Sequence, residues 1–297
     1  NKMRYTPFSA ELFKKNRAKL YAQLPPKSIV VISSNDIMPT NADGTMGFRQ
    51  NSDLFYLSGL DQEETLLILY PDAPEPQWRE IAFVRETSEL IEIWEGHKYT
   101  KEEATSISGI KNIQWVSNFD TLLKTLIYSA TNLYLTDNEH LRNASSVQTQ
   151  NARLGITLKR SYPSHTISRL APILSDLRMQ KEPEELKALQ EACDITEKGF
   201  RRVLNFTKPG VTEYEIEAEF IHEFTRNRSE GFAYTPIIAS GANACVLHYI
   251  DNALPCKEGD MLLLDVGASY ANYNADMTRT IPVNGRFNPR QKQVYQA

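Results

Sequence analysis

Two aspartates in the last fifth of the sequence have the setting of a metal site. An apolar run at residues 261–264 leads directly into Asp265, where a carboxylate at the buried end of a strand needs a neutralising partner. Asp276 lies on what reads as the return strand, and a turn centred between Tyr270 and Ala271 would place the two aspartates opposite each other. Opposed residues of an antiparallel pair have Cβ atoms roughly 5 Å apart, so the carboxylates would repel unless a divalent ion joined them. The pattern predicts a site for a metal such as Mn²⁺.

The alternative is that both aspartates are structural. Asp265 would then end a strand, and Asp276 would bond to backbone at a bulge, as most aspartates in such places do. The apolar run before Asp265, the mirrored position of Asp276 and a nearby loop that contains a histidine together favour the metal site.

The histidine of that loop is His248, which follows short apolar residues within residues 240–249. Gly241 and Asn243 suit a tight turn there. A lone histidine is more often a surface or core residue than a functional one. Its position beside the aspartate hairpin predicts that His248 reaches the same cleft.

Helices followed by antiparallel strands are predicted for this part of the chain. Pro183 suits the first turn of a helix, and an apolar stripe at helical spacing follows: Leu186, Leu189, Cys193, Thr196 or Phe200, and Val203. Thr212 and Glu215 form a capping box before a second amphipathic helix. Strand patterns come next, around residues 235–239, 261–266 and 275–283. This order is typical of an α+β domain.

The first half of the chain predicts an α/β unit with a mixed sheet. Ser9 is a plausible cap of an opening helix, and short apolar runs that read as buried strands follow at residues 29–32, 66–70, 81–84 and 133–135. Prolines and polar residues interrupt the pattern at residues 161–172. We therefore predict two domains, residues 1–173 and residues 174–297.

Composition excludes several classes of protein. The net charge of -4 gives no basic field for a nucleic acid. The opening residues have neither the apolar core of a signal peptide nor the length of a membrane span, so no membrane partner is expected. Three cysteines without C-x-x-C spacing fit reduced thiols and a cytoplasmic location.

Three segments, residues 240–249, 261–268 and 274–280, together resemble the pita-bread metallopeptidases, the group that contains methionine aminopeptidase, prolidase and Xaa-Pro aminopeptidase. Residues 48–59, FRQNSDLFYLSG, resemble the signature of the creatinase-like N-terminal domain and look closest to Xaa-Pro aminopeptidases. Residues 178–185 are also similar to the family's entry into the catalytic domain. The resemblance spans nearly the whole chain. It implies an α/β creatinase-like domain followed by the first half of an α+β pita-bread catalytic domain.

The resemblance also implies an activity. A metal-dependent aminopeptidase would release the N-terminal residue from peptides with proline in the second position. Two divalent ions, usually manganese, would bind at Asp265 and Asp276, with Asp276 bridging both, and would activate water. His248 would be a substrate-binding histidine at the scissile bond. Relatives commonly form dimers or tetramers, so a homodimer or homotetramer is expected.

The ligand set in this sequence falls short of that family pattern. Two ions need roughly ten donor positions, and two aspartates fill only a minority of them. In the family, one histidine and two glutamates from later segments complete the set, and residues 291–297 continue as helix without a stop signal. We therefore expect a truncated chain that binds metal weakly and is inactive as given.

Two alternative functions remain open at this stage. Prolidase, a dipeptidase of the same fold, is disfavoured only moderately by residues 48–59. A non-catalytic pita-bread module that binds peptides is disfavoured by Asp265, Asp276 and His248.

Lesser candidate residues lie in the first half of the chain. Residues 94–98, WEGHK, occupy a place where relatives contact a neighbouring subunit's active site, although a solvated loop is the simpler reading. Arg49, Asp53 and Tyr56 could shape the peptide entrance, but an Arg–Asp pair that fixes the fold explains them equally well.

Overall fold

The structure, a computed structural model, describes residues 4–297. Contacts within it define an N-terminal unit, residues 8–181, and a C-terminal unit, residues 182–297 together with residues 4–7. The predicted boundary after residue 173 falls inside the helix Ala171–Met179, whose Leu174 is fully buried in the core of the N-terminal unit. The boundary lies one helix later than predicted, because Pro172 stands in the first turn of that helix and not in a linker.

The N-terminal unit is built on a six-stranded mixed sheet, as predicted. Its strands are β1 Ser28–Ser33, β2 Leu66–Leu69, β3 Glu80–Val84, β4 Asn112–Trp115, β5 Asn132–Leu135 and β6 Thr166–Arg169. They lie in the order β4-β3-β2-β1-β5-β6, with β1 antiparallel to β2 and parallel to β5. The helices are α1 Ala10–Tyr21, α2 Ser52–Ser58, α3 Glu89–Glu95, α4 Lys101–Ser108, α5 Phe119–Ile127, α6 Gln150–Ser161 and α7 Ala171–Met179.

Apolar side chains cover both faces of this sheet. Val30 and Ile32 of β1 belong to one core, which α1, α2, α4 and α7 complete. Ile29 and Val31 belong to the opposite core, which α5 and α6 complete. Burial on both faces explains why the strands appear in the sequence as continuous apolar runs.

One ion pair in the N-terminal unit has a fully buried arginine and a partly buried glutamate. Arg17 of α1 is 0% exposed, and its guanidinium donates to both carboxylate oxygens of Glu80 at 3.0 and 3.1 Å. The same guanidinium donates to the carbonyl oxygens of Leu57 and Ser108, and the hydroxyl of Tyr21 donates to Glu80 at 2.7 Å. The positive and negative charges are therefore matched, and α1 is tied to α2, α4 and β3.

Residues 48–59 have structural roles in the same unit. The side chain of Asn51 caps α2, and the amide of Gln50 donates to the carbonyl oxygens of Leu60 and Gln62. Gly59 ends the helix at φ 68°, and a Cβ there would lie 2.2 Å from the ring of Phe13. A glycine is required at this position on both grounds.

The C-terminal unit has two long helices followed by antiparallel strands, which confirms the α+β prediction. The helices are α8 Pro183–Phe206, α9 Glu213–Arg226 and α10 Pro289–Gln296. The strands are β7 Gly231–Phe232, β8 Ile237–Ser240, β9 Met261–Asp265, β10 Ala268–Tyr270, β11 Tyr273–Asn274 and β12 Thr278–Pro282, in sheets ordered β11-β10-β7 and β12-β9-β8. Within residues 4–297, no helix has the length and apolar content needed to cross a membrane.

The buried face of α8 differs from the predicted stripe in its first half. Leu186 and Cys193 are exposed, and the small residues Ala188 and Ala192 are buried instead. Small side chains allow the sheet to approach closely, and the hydroxyl of Thr196 on the same face accepts from the backbone N–H of Ala268, the first residue of β10, at 3.0 Å. Thr196, Phe200 and Val203 are buried, so the second half of the stripe is confirmed.

Residues 4–7 lie against the C-terminal unit. The Arg4 guanidinium donates to the carbonyl oxygen of Ser229, and the backbone N–H of Thr6 donates to the hydroxyl of Tyr270. The ring of Tyr5 packs edge-on against Tyr270, with centroids 6.3 Å apart. These contacts make the start of the described chain part of the unit formed by its second half.

Candidate metal centre

The aspartate hairpin has a different register from the predicted one. Asp265 of β9 pairs with Thr278 of β12, and Tyr270 pairs with Tyr273. The two-residue turn is therefore Ala271–Asn272, where φ is 53° and 64°. Two consecutive left-handed residues give the type I′ turn that matches strand twist. The predicted turn centre was wrong, and Asp276 is not directly opposite Asp265.

The two carboxylates nevertheless meet on one face of the hairpin. A shift of the partner by two residues preserves the face, because side chains alternate with a period of two. The hydroxyl of Tyr234, in the connection between β7 and β8, lies 2.6 Å from Asp265 Oδ1 and 3.1 Å from Asp276 Oδ1. Asp276 is thus the diagonal neighbour of Asp265, and one hydroxyl joins the two side chains.

A glycine sets the path of the strand that carries Asp276. A Cβ on Gly267 would lie 1.8 Å from the carbonyl oxygen of Ala275 and 3.2 Å from the backbone nitrogen of Asp276. Hydrogen bonds from Val266 to Met277 and from Ala275 to Ala268 flank this contact. The close approach of the two backbones requires glycine at position 267.

The electrostatics of the cluster are unbalanced. Asp265 is half-buried and Asp276 is exposed, and neither carboxylate forms an ion pair with a lysine or arginine in the part of the chain that the structure describes. A tyrosine hydroxyl has one proton, so it can donate fully to only one carboxylate at a time. Burial, followed by the bond to Asp265 and the charges of both aspartates, raises the pKa of Tyr234 well above its usual range. A cation between the carboxylates would remove this imbalance.

The donor set fits a hard or borderline divalent ion. Carboxylate and hydroxyl oxygens are the ligands that Mn²⁺ and Mg²⁺ prefer. Across residues 4–297, no cluster of three or more His, Cys, Asp or Glu side chains is arranged to hold an ion. Asp265 and Asp276 therefore provide part of a coordination sphere.

His248 lies on an exposed loop of the same unit. It follows the 3-10 helix Gly241–Cys245, and within residues 4–297 it forms no hydrogen bond with either aspartate. The loop leaves β8 at Ser240, which pairs with Leu262 of β9, about 10 Å along the strand from Asp265. The structure therefore brings Asp265 and Asp276 together and places His248 on a separate segment.

Three residues that carry the polar contacts of this region were not predicted. Tyr234 joins the aspartates. Glu213 of α9 lies fully buried under residues 240–254, the segment that contains His248, and Asn252 ties that segment to β8 and α9. Burial would raise the pKa of Glu213, but hydrogen bonds, the largest from Tyr249, outweigh it and hold the pKa below its ordinary value. In the sequence Glu213 resembles any acidic residue in the first turn of a helix.

The lesser candidates lie away from these residues in the sequence, in the N-terminal unit. The carboxylate of Asp53 accepts from Arg178 of α7 at 2.6 Å, which is a structural role. Trp94 is 82% exposed at the end of α3. The imidazole of His97 lies between Glu92 and Glu103, at 3.0 and 2.6 Å. A role of this segment in a neighbouring subunit stays a prediction.

Comparison with known proteins gives the class of the chain. Residues 187–297 match the metallopeptidase family M24, and residues 13–134 match the N-terminal domain of aminopeptidase P. A Xaa-Pro aminopeptidase from Haemophilus influenzae is 32% identical over 96% of this chain and 64% of its own length. The chain thus spans about two thirds of the length of such relatives.

Solved structures agree with the sequence relatives. A structure from Bacillus anthracis, provisionally assigned as an aminopeptidase P, has a TM-score of 0.89 and 32% identity over 97% of this chain and 68% of that one. Aminopeptidase P from Escherichia coli with the inhibitor Pro-Leu has a TM-score of 0.85 and 28% identity over 98% and 66%. The chain belongs to the aminopeptidase P family. The predicted resemblance and fold are confirmed.

Proposed function

We propose that the whole protein is a metal-dependent Xaa-Pro aminopeptidase, which removes the N-terminal residue from peptides whose second residue is proline. The observation that carries the proposal is the convergence of Asp265 and Asp276 on one hydroxyl, with no lysine or arginine of residues 4–297 paired with either carboxylate. Relatives that share the fold are named for the same activity, which supports the choice of substrate. Because the chain spans only part of these relatives, the activity is proposed for the protein as a whole.

Asp265 and Asp276 are proposed as metal ligands. When bound, divalent ions supply Lewis-acid chemistry, which acidifies water and stabilises developing negative charge. The protein contributes the spacing: Gly267 and the type I′ turn fix the hairpin register, and that register sets the two carboxylates diagonally on one face. We infer two ions, with Mn²⁺ as the resident metal, and hard oxygen donors suit such an ion.

Tyr234 is proposed to orient both ligands. Its hydroxyl holds an oxygen of each aspartate and leaves the second oxygen of each free for an ion. Partners of this kind restrict the rotation of a ligand and raise its effective affinity.

His248 is proposed to bind substrate beside the scissile bond. An exposed imidazole can donate to the carbonyl oxygen that precedes proline, where negative charge develops during hydrolysis. The bond to proline has no N–H of its own, so recognition depends on carbonyl contacts and on the shape of the ring. The bound Pro-Leu of the E. coli relative, a dipeptide that begins with proline, resembles the leaving product of such a reaction.

A cytoplasmic homo-oligomer, a dimer or tetramer, is the proposed state of the enzyme. The reduced-thiol pattern supports this location, since Cys193, Cys245 and Cys256 are all free thiols.

The test is hydrolysis by the whole protein with added Mn²⁺. We expect release of the first residue from a tripeptide Xaa-Pro-Xaa and none from the matched Xaa-Ala-Xaa. Asp276→Asn is the matched inactive variant. Cleavage of Xaa-Pro dipeptides alone would identify a prolidase, and binding of both peptides without turnover would identify a non-catalytic module. Either outcome would refute the proposal.

A further inference from the structure

Glu213 is a buried carboxylate that the proposed chemistry does not use. It lies at the first position of α9, and the residue is 0% exposed. Its carboxylate forms no ion pair within residues 4–297. A buried charge without a cation must be stabilised by hydrogen bonds, so its donors reveal what the residue holds.

Five donors from one loop converge on this carboxylate. Oε1 accepts from the backbone N–H of Ser240 at 2.8 Å, from its hydroxyl at 2.8 Å and from the Asn243 amide at 3.0 Å. Oε2 accepts from the Tyr249 hydroxyl at 2.6 Å and from the backbone N–H of Leu254 at 2.9 Å. Each oxygen thus holds a different end of residues 240–254, which we call the His248 loop.

The exposed tip of the His248 loop lies between these two ends. Val246 is 53% exposed and Leu247 is 90% exposed, so the tip has little packing of its own. The next residue after His248 is Tyr249, which is buried against Ile237 and Ala239 of β8. The position of the imidazole therefore depends on anchors on either side of the tip.

We propose that Glu213 is the positioning residue of the His248 loop, and that its carboxylate clamps both ends of the loop so that His248 is presented in one place. The role is distinct from helix capping, which Thr212 and Glu215 perform for α9. The clamp itself follows from the contacts, whereas its effect on turnover rests on the proposed function.

The substitution Glu213→Gln tests whether both carboxylate oxygens are needed to hold the loop. A carboxamide has the same shape but only one acceptor oxygen. In either orientation its NH₂ group faces a backbone N–H, that of Ser240 or that of Leu254, and a backbone N–H cannot reverse its polarity. Glu213→Gln therefore removes the side-chain anchor at one end of the loop and leaves the backbone bond from Glu213 N–H to the carbonyl oxygen of Leu254 and the helix in place.

Hydrogen exchange of backbone amides, followed by mass spectrometry on the whole protein, tests the clamp directly. We expect Glu213→Gln to speed exchange in peptides from residues 240–254 by about tenfold or more, and to leave peptides from residues 261–282 unchanged. Glu215→Gln is the matched control on the same turn, because glutamine also serves in a capping box. Unchanged exchange in residues 240–254, or an equal increase in residues 261–282, would overturn the proposal.

A second variant guards against failure of Glu213→Gln to fold. Tyr249→Phe keeps the buried ring and removes one donor from Oε2. We expect faster exchange in the same peptides by a smaller factor. No change in this variant would also overturn the proposal.

Kinetics test whether the clamp acts through His248. We expect Glu213→Gln to lower kcat/KM for a Xaa-Pro-Xaa peptide in the wild-type background and to cause no further loss in a His248→Ala background. Losses that multiply would show that Glu213 does not act through His248. If the wild-type protein cleaves no such peptide, the proposed function fails, and the exchange experiment still decides on the clamp.

Discussion

Glu80 in the N-terminal unit and Asp265 in the C-terminal unit have similar surroundings. Glu80 begins β3 and Asp265 ends β9, and each accepts from a tyrosine hydroxyl, at 2.7 and 2.6 Å. The remaining partner differs. Glu80 has the buried guanidinium of Arg17, whereas the neighbour of Asp265 is a second carboxylate, Asp276.

The difference separates a structural cluster from a candidate site. A matched pair of charges holds its elements together and has no use for an external ion. Two carboxylates on one hydroxyl repel each other, which lowers the stability of the metal-free protein. A bound cation relieves that repulsion, and the relief adds to the affinity of the cluster for the cation. Charge balance, and not the presence of a carboxylate at a strand end, distinguishes the two.

The largest effect is expected in the matched cluster. Arg17→Met leaves the partly buried Glu80 without its cation and removes the donors to two carbonyl oxygens, so we expect a loss of about 3–5 kcal/mol in the free energy of unfolding. Urea denaturation measures it. Lys14→Met is the control on the same helix, because its pair with Glu11 is exposed and should contribute under about 1 kcal/mol. Equal losses in the two variants would break the comparison.

The next effect is expected at the pair Asp265 and Asp276, where a substitution should weaken metal binding and leave the stability of the metal-free protein unchanged or higher. Asp276→Asn should weaken Mn²⁺ binding at least about 100-fold, because a ligand matters more than its outer partners. It should not lower the stability of the metal-free protein, since it removes repulsion. Calorimetric titration and thermal unfolding measure the two quantities, with Asp260→Asn as control. A metal-free protein destabilised by Asp276→Asn would contradict the repulsion argument.

A smaller effect is expected at the shared hydroxyl. Tyr234→Phe keeps the ring but frees both aspartates, so we expect Mn²⁺ affinity to fall about 10-fold. The matched variant in the other unit is Tyr21→Phe, which should leave Mn²⁺ affinity unchanged. Titration of both variants sharpens the comparison, and equal affinities for Tyr234→Phe and wild type would remove Tyr234 from the site.

The smallest effect is expected on acidification. The pKa of Glu213 is below its ordinary value, so the carboxylate adds stability that is complete above about pH 4.3 and is lost as pH falls through the lower folded value. We expect the protection factors of residues 240–254, which are exchange rates corrected for the intrinsic pH dependence of amide exchange, to fall over that acidic range in wild type. This loss of protection should be absent in Glu213→Gln, whose side chain does not titrate. The same acid response in both proteins would assign it to another group.

Local sequence patterns predicted the features that depend on residues close together in the chain. The apolar run before Asp265 and the mirrored position of Asp276 predicted that the two aspartates share one face, and in the structure both carboxylates lie at the hydroxyl of Tyr234, although Asp276 is not directly opposite Asp265. The turn was placed one residue early, because the left-handed pair Ala271–Asn272 contains no glycine to mark it.

Contacts between distant residues were beyond sequence reasoning. Tyr234 meets Asp276 across 42 positions, and Glu213 meets Leu254 across 41. Neither residue type signals such a partner. The first half of α8 shows the same limit, since its buried face depends on how closely the sheet approaches and not on which side chains are most apolar.

The attachment of residues 4–7 to the C-terminal unit has a consequence for how the protein is made. Thr6 leaves the ribosome 264 residues before its partner Tyr270, a delay of roughly 10–50 s at typical rates of synthesis. The N-terminal unit is complete during that interval. Residues 4–7 are therefore synthesised well before the residues that they bind, and they can form their native contacts only after residues 8–181 have been made.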